Sequence, residues 1–299
     1  MKSIVVYFSL TGNTKKIAKA IHRGMSRLSD QCDISSVCDV DTRNLRDYDL
    51  VGFGAPVWGG PPPNVTNLIN AMPSLEGKHT FAFCTHGALP DRFFSPIVEL
   101  LQKKGSTVIG LGDWYGSVYL PSLPKPYLTD GHPDETDIKE AEEFGRKMVE
   151  LSKKISAEGP QLIPALQIMP MIPRSNLPRS LPKLSVQKCR YPQCRLCEDN
   201  CPMDAINLSG TPPGITKDCC TCHFCEMICP EGAMEVDYEI LAKASSKRAK
   251  DKFIKALEKA EAEGRFRRLV PLDEVGWDTP YYKVYNKHPR YIIPDENSG

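Results

Sequence analysis

Ile4-Val5-Val6-Tyr7-Phe8-Ser9-Leu10-Thr11-Gly12-Asn13-Thr14 passes from a short apolar run into a loop of hydroxyls and glycine. Consecutive apolar residues suit a strand buried on both faces, as in a parallel sheet. Beyond the loop, Ile17, Ile21, Met25 and Leu28 recur at helical spacing and mark one buried face. A loop that ends a strand and opens a helix offers backbone N–H groups and the positive end of the helix dipole to a phosphate. This loop holds no basic residue, so neutral donors would do the holding. The same residues could also form an ordinary N-cap cluster.

Outward from this stretch the pattern repeats. Further strands are predicted at Asp49 to Ala55, Thr80 to Cys84 and Thr107 to Leu111. A helix is expected from Asp91 to Lys104. Another runs from Asp137 to Ile155, with Ile138, Ala141, Gly145, Met148, Leu151 and Ile155 facing inward. Alternating strands and helices over residues 1–157 predict a doubly wound parallel sheet covered on both faces. Two more loops follow strands at their carboxyl ends, where such sheets bind ligands. Pro56-Val57-Trp58-Gly59-Gly60-Pro61-Pro62 combines a large aromatic with glycines, which suits a flat ring and close backbone approach. Trp58 reads either as a stacking residue or as a core or rim tryptophan. In Thr85-His86-Gly87-Ala88, His86 either meets the ligand's edge or caps the loop.

The layout resembles the flavodoxins, and Ser9, Thr11, Gly12, Asn13 and Thr14 match that family's phosphate-loop pattern. The resemblance spans residues 1–157. It implies strand order 2-1-3-4-5 and a bound FMN, held by those five residues with Pro56, Val57, Trp58 and Gly59 from the second loop and Thr85, His86 and Gly87 from the third.

Cysteine usage identifies a second module. Of twelve cysteines, nine lie between Cys189 and Cys229. In a long chain with no signal-peptide layout, such clustering points to metal rather than to disulfides. Cys194, Cys197 and Cys201 recur 28 residues later as Cys222, Cys225 and Cys229, and the flanks Cys201-Pro202-Met203-Asp204-Ala205-Ile206 and Cys229-Pro230-Glu231-Gly232-Ala233-Met234 match. A small duplicated fold follows. Cys219-x2-Cys222-x2-Cys225-x3-Cys229-Pro230 has the spacing of a bacterial [4Fe-4S] run. Zinc ribbons use paired Cys-x2-Cys knuckles instead.

The segment resembles the two-cluster bacterial ferredoxins. That resemblance implies a small α+β domain in which Cys189, Cys194, Cys197 and Cys229 hold one [4Fe-4S] cluster, and Cys219, Cys222, Cys225 and Cys201 the other. The departure is at Cys189, which is separated from Cys194 by four residues where the family usually has two. Cys220 is read as a non-ligand, and His223 as an exposed or supporting residue.

The remaining segments frame these modules. Residues 158–185 form a Pro-rich linker made apolar by Leu162, Ile163, Leu166, Ile168, Met169, Met171 and Ile172. It reads as an ordered strap over a domain, or as a docking surface. The cluster module covers 186–237 and a C-terminal extension 238–299. Residues 241–268 carry a net charge of +6. A solvated helix face or a patch for an acidic protein explains this more simply than nucleic acid does. Trp277, Tyr281, Tyr282, Tyr285 and Tyr291 are expected to wrap domains. The long loop from Tyr115 to Asp137 could cover the ring or meet a partner.

The net charge of +1 argues against a global field for nucleic acid or membrane. No apolar run reaches the ~20 residues of a membrane span. The cytoplasm is the expected compartment. Taken together, the two modules resemble the flavodoxin–ferredoxin fusion proteins of anaerobic bacteria and archaea. That implies an electron carrier between two [4Fe-4S] clusters and FMN, serving a redox protein such as a metalloenzyme or corrinoid protein. The alternative is an FMN-dependent reductase of a quinone, nitro compound or pterin, and a third reading is a redox-responsive binding protein. No catalytic residue is singled out, and a homodimer remains open.

Overall fold

The opening apolar run becomes β1 (Lys2–Tyr7), and the helix after the loop is α1 (Asn13–Ser26). The computed structural model describes residues 1–168 and 179–294. Of these, 1–118, 129–168 and 264–269 gather into one unit, and 119–128, 179–263 and 270–294 into another.

The first unit continues with β2 (Gln31–Ser36), β3 (Leu50–Pro56), α2 (Pro63–Ala71), β4 (His79–His86), α3 (Phe94–Lys103), β5 (Thr107–Tyr115) and α4 (Glu135–Glu158). The sheet is parallel throughout, in the order β2-β1-β3-β4-β5. This is the flavodoxin-like order. β2 escaped the sequence reading because QCDISS contains no apolar run; as an edge strand it is only partly buried.

Alternation along the strands divides the core in two. Ile4, Val6, Phe8, Val51, Phe53 and Ala55 face α2 and α3, meeting Val65, Ile69, Ile97 and Leu101. Val5, Leu50, Phe81, Phe83 and Ile109 face α1 and α4, meeting Ile17, Ile21, Met25, Ala141 and Val149. Leu162 and Ile163 pack on the second core, and Leu166 and Ile168 on the first. The described part of the linker thus passes around the β5 edge, and residues 164–167 line a cavity with Ile109, Gly110, Leu111 and Asp113 of that strand. Covering an edge strand protects it from pairing with other chains. Met169, Pro170, Met171, Ile172, Pro173 and Pro178 lie outside the described residues.

α1 and α4 lie backbone against backbone. A Cβ on Gly24 would stand 1.9 Å from the Glu142 carbonyl oxygen, and one on Gly145 2.2 Å from that of Ile21. Helix-interior glycine costs about 1 kcal/mol relative to alanine; here it permits an approach that no other residue allows.

The second unit is built from short pieces. β6 (Lys183–Leu184) pairs antiparallel with β9 (Met234–Glu235), and β7 (Ile206–Asn207) with β8 (Gly214–Ile215). α5 (Leu196–Asp199) and α6 (Phe224–Ile228) are single turns of helix. α7 (Tyr238–Arg248) continues through a π-helical stretch into α8 (Ile254–Ala262), and α9 (Tyr281–Val284) lies in the tail. The side chain of Arg248 lies outside the description. The middle of the loop after β5 belongs to this unit. Tyr281 and Tyr282 donate their N–H groups to the carbonyls of Leu123 (2.9 Å) and Pro121 (3.0 Å). Tyr119 meets Tyr291 edge-on, with ring centroids 5.2 Å apart. No described helix is long and apolar enough to cross a membrane.

Gly145→Ala should destabilise the first unit by about 2 kcal/mol or more, since its methyl meets backbone that cannot rotate away. Denaturant unfolding checks this; a variant as stable as the parent would show that the helices can part at little cost.

Candidate functional site

The first site grows from the ends of β1, β3 and β4. Gly12 caps α1 in the left-handed region (φ 86°), and no side chain accepts from the helix's first N–H groups. The first turn contains no acidic residue either. A glycine at this position brings no side chain to cap the helix, and the N-terminal N–H groups of a helix are the kind of donors that suit an anion. The neighbouring loops are tied to this one. The Thr14 hydroxyl pairs with that of Thr85 at 2.7 Å, and Asn13 Nδ2 donates to the Ser117 carbonyl at 2.7 Å. Val57 N–H donates to the Thr85 carbonyl at 2.9 Å. Arg92, which the sequence reading missed, donates to the Gly59 carbonyl and braces the second loop.

All twelve residues named for the ring and phosphate lie in these three strand-end segments. Thr14, Thr85 and His86 are buried; Ser9, Thr11, Gly12, Asn13, Pro56, Val57, Trp58, Gly59 and Gly87 are half-buried. Trp58 stands edge-on to Phe8 at 5.5 Å. His86 turns its Nε2 to Asp113 Oδ2 at 2.9 Å. Two buried polar groups here have no partner among the described residues: His86 Nδ1 and the side-chain amide of Asn64 at the start of α2. Orphaned donors and acceptors beside a crevice suit a polar ligand. Asn64 left no sequence signal beyond its place just after the Pro-rich second loop.

The second site consists of two cysteine-lined cavities in the other unit. Cys189, Cys194, Cys197 and Cys229 line one, and Cys201, Cys219, Cys222 and Cys225 line the other, with Cys220 and His223 beside them. The internal repeat is legible in the hydrogen bonds. Ala205 N–H points at Cys201 Sγ (3.3 Å) and Ala233 N–H at Cys229 Sγ (3.2 Å), each four residues on. Thr221 N–H points at Cys219 Sγ (3.4 Å). Asp204, Thr221 and His223 take positive φ where the chain curls around the sulfurs. His223 is buried, not exposed, and its Nε2 lies 2.8 Å from the Ser180 carbonyl.

Four sulfurs about 2.3 Å from one zinc stand only about 3.8 Å apart. Among the described residues, no three cysteine sulfurs lie within 4.8 Å of one another. Burial, reinforced by the neighbouring cysteines, pushes the Cys197 thiol up to about 12 and raises Cys225 further. Thiols packed this way need a cationic group to become thiolates.

The described residues contain one tight cluster of potential metal donors, His132, Asp134 and Asp137. Its donors are already committed. Asp134 and Asp137 form the capping box of α4, and the Arg267 guanidinium donates to both, at 2.6 and 2.9 Å. His132 faces two acceptors, Asp137 Oδ2 at 2.6 Å and the Arg267 carbonyl at 2.8 Å. This is a clasp holding residues 264–269, not a metal site.

A five-stranded sheet in this order, with free helix-terminal donors and orphaned polar groups at its carboxyl edge, defines a flavodoxin-like electron-transfer flavoprotein. A family model described as a flavodoxin domain matches residues 4–109. The flavodoxin of Maridesulfovibrio salexigens is 32% identical over 122 residues, covering 36% of this chain and 82% of that protein. The solved structure of a flavodoxin from the domain Archaea is 24% identical and covers 51% of this chain and 99% of its own, with a TM-score of 0.39. The chain belongs to the flavodoxin family through its N-terminal half. An uncharacterized ferredoxin of Methanocaldococcus jannaschii is 36% identical over 53 residues, 17% of this chain and 86% of that protein.

The clasp should show in stability against pH. Burial works to lower the His132 pKa, but its hydrogen bonds and the charges of Asp137 and Asp134 raise it overall. A raised folded pKa stabilises fully below the unfolded value of about 6.5 and fades as pH rises through the folded value. The stability gap between wild type and His132→Gln should therefore be widest near pH 6 and shrink in alkali. A gap that widens with pH would contradict the assignment.

Proposed function

We propose that this chain is a flavodoxin–ferredoxin fusion that passes electrons between FMN at the first site and two [4Fe-4S] clusters at the second, in exchange with a redox protein in the cytoplasm. The observation that carries the reading is the partition of eight cysteines, Cys220 being set aside as a non-ligand, between two cavities. Each cavity takes three sulfurs from one half of the repeat and one from the other, with Cys229 and Cys201 crossing over. The match to the small ferredoxin over 53 residues supports the same reading.

When bound, FMN exchanges one or two electrons and each cluster one, so together they can convert between electron pairs and single electrons. The chain's own residues do the rest. The N–H groups opening α1 and the hydroxyls of Ser9, Thr11 and Thr14 would bind the phosphate. The second and third loops would flank the ring, with Asn64 and His86 supplying polar contacts. At the other site, the N–H groups of Ala205, Ala233 and Thr221 aim at sulfur, where they would stabilise negative charge. Apolar neighbours such as Ile206, Ile215 and Phe224 in the second cavity, and Leu184 and Met234 in the first, keep water away.

Anaerobic purification should yield about eight irons, about eight sulfides and about one FMN per chain. Cys229→Ser should cost the cluster of Cys189, Cys194 and Cys197, and Cys201→Ser that of Cys219, Cys222 and Cys225. Each variant should fall to about four irons. A colourless protein containing zinc would end the proposal, and loss of the same centre in both variants would end the crossover.

A further inference from the structure

The repeat places Glu198 after Cys197 and Glu226 after Cys225, 28 residues apart. The two carboxylates have different surroundings. Glu198 accepts from the Leu208 N–H at 3.0 Å and pairs with Arg195, whose side chain is 55% exposed. Glu226 is 3% exposed on its side chain, and its partners come from outside the repeat. Arg290 Nε donates to Glu226 Oε1 at 2.8 Å, and the Tyr238 hydroxyl donates to Glu226 Oε2 at 2.8 Å. Arg290 is itself 9% exposed on its side chain.

The tail is fastened to the same turn of helix by its backbone. The N–H groups of Arg290 and Tyr291 both donate to the Met227 carbonyl, at 2.7 and 2.9 Å. The Tyr291 ring packs against Phe224 with centroids 5.9 Å apart, and Tyr238 stands edge-on to His223 at 5.8 Å. Phe224 and His223 line the cavity of Cys201, Cys219, Cys222 and Cys225. The wall of that cavity is therefore backed by a buried ion pair, one half of which belongs to the C-terminal extension.

We infer that Arg290 and Glu226 are positioning residues for the second cysteine site: the extension brings a buried cation that offsets the Glu226 charge and sets the reduction potential of the group held there. This rests on the proposed [4Fe-4S] cluster at that site. Reduction adds one electron and one unit of negative charge without forming or breaking a bond, so fixed charges behind the wall shift its free energy directly. A pair shielded from water acts over a longer range than an exposed one. The repeat provides an internal control, because Glu198 and Arg195 sit closer to water.

The test is an EPR-monitored redox titration of the full chain, purified anaerobically, with the centres told apart through Cys229→Ser and Cys201→Ser. Glu226→Gln leaves the guanidinium uncompensated, since arginine stays charged, and should raise the potential of the second centre alone. Arg290→Met leaves the carboxylate uncompensated and should lower it. Glu226→Gln with Arg290→Met should return it towards wild type. Glu198→Gln should move the first centre less than Glu226→Gln moves the second. Should Glu226→Gln fail to load its second centre, Arg290→Met carries the test alone.

Opposite shifts confined to one centre support the inference, because general loosening of the fold would not reverse sign. Equal shifts at both centres, or none, overturn it. A wild-type chain without about eight irons overturns the underlying reading and this inference with it. A fully loaded wild type whose second centre ignores both variants overturns the inference alone.

Discussion

The contact between α1 and α4 at Gly24 and Gly145 constrains everything at the carboxyl edge of the sheet. With the two backbones this close, α1 is held flat on the face that carries Phe81 and Phe83. Those rings in turn fill the space that glycine leaves open in β3. A Cβ on Gly52 would stand 2.2 Å from the Phe81 ring, and one on Gly54 2.0 Å from that of Phe83. Because α1 covers one face and α2 the other, the chain leaves β1 and β3 in opposite directions. The crevice between their loops is the result of that divergence.

The second unit solves a different problem. Its strands are two residues long and its first helices a single turn, too little regular structure to bury much apolar surface. What the halves share is sulfur. Each half lines its own cavity with three or four cysteines and sends one more into the other's, so each cavity draws on both halves of the repeat. The extension then breaks this symmetry. Arg290, Tyr291 and Tyr238 cover the second half, while the Arg195–Glu198 pair of the first half stays closer to solvent.

Most of the first unit was legible because strand burial and helix spacing write themselves as periodicity. β2 was not, since an edge strand of polar residues needs only its backbone to pair. The phosphate loop could be read either as a ligand site or as a cap. The structure puts Gly12, which has no side chain, at the N-cap of α1; which residue takes the cap depends on where the helix starts, a boundary that local sequence marks poorly. The cysteine spacing pointed to both cavities, and the grouping of Cys229 with Cys189, Cys194 and Cys197, and of Cys201 with Cys219, Cys222 and Cys225, is the one the ferredoxin resemblance implied. Glu226 was visible as the repeat mate of Glu198, but its partner stands 64 residues away, and no local pattern links a tail arginine to a helix that short. Asn64 and Arg92 were missed for the same reason: their roles come from tertiary neighbours.

The long loop after β5 shows how far a reading by composition can go. Its prolines and tyrosines correctly excluded regular structure, and length alone suggested a lid. Yet Ser122, Tyr127 and Leu128 are fully or almost fully buried, and the carbonyls of Pro121 and Leu123 are taken by the tail. A lid must exchange its contacts with water at little cost. Each contact made within the second unit, such as those of the Pro121 and Leu123 carbonyls and of the Tyr127 ring with Trp277, adds to the cost of exposing this segment. The chain returns to the first unit at Thr129, whose hydroxyl donates to the Gly116 carbonyl at 2.8 Å. Gly116 in turn lies against the Asn13 side chain, so the end of β5 packs on the first residue of α1.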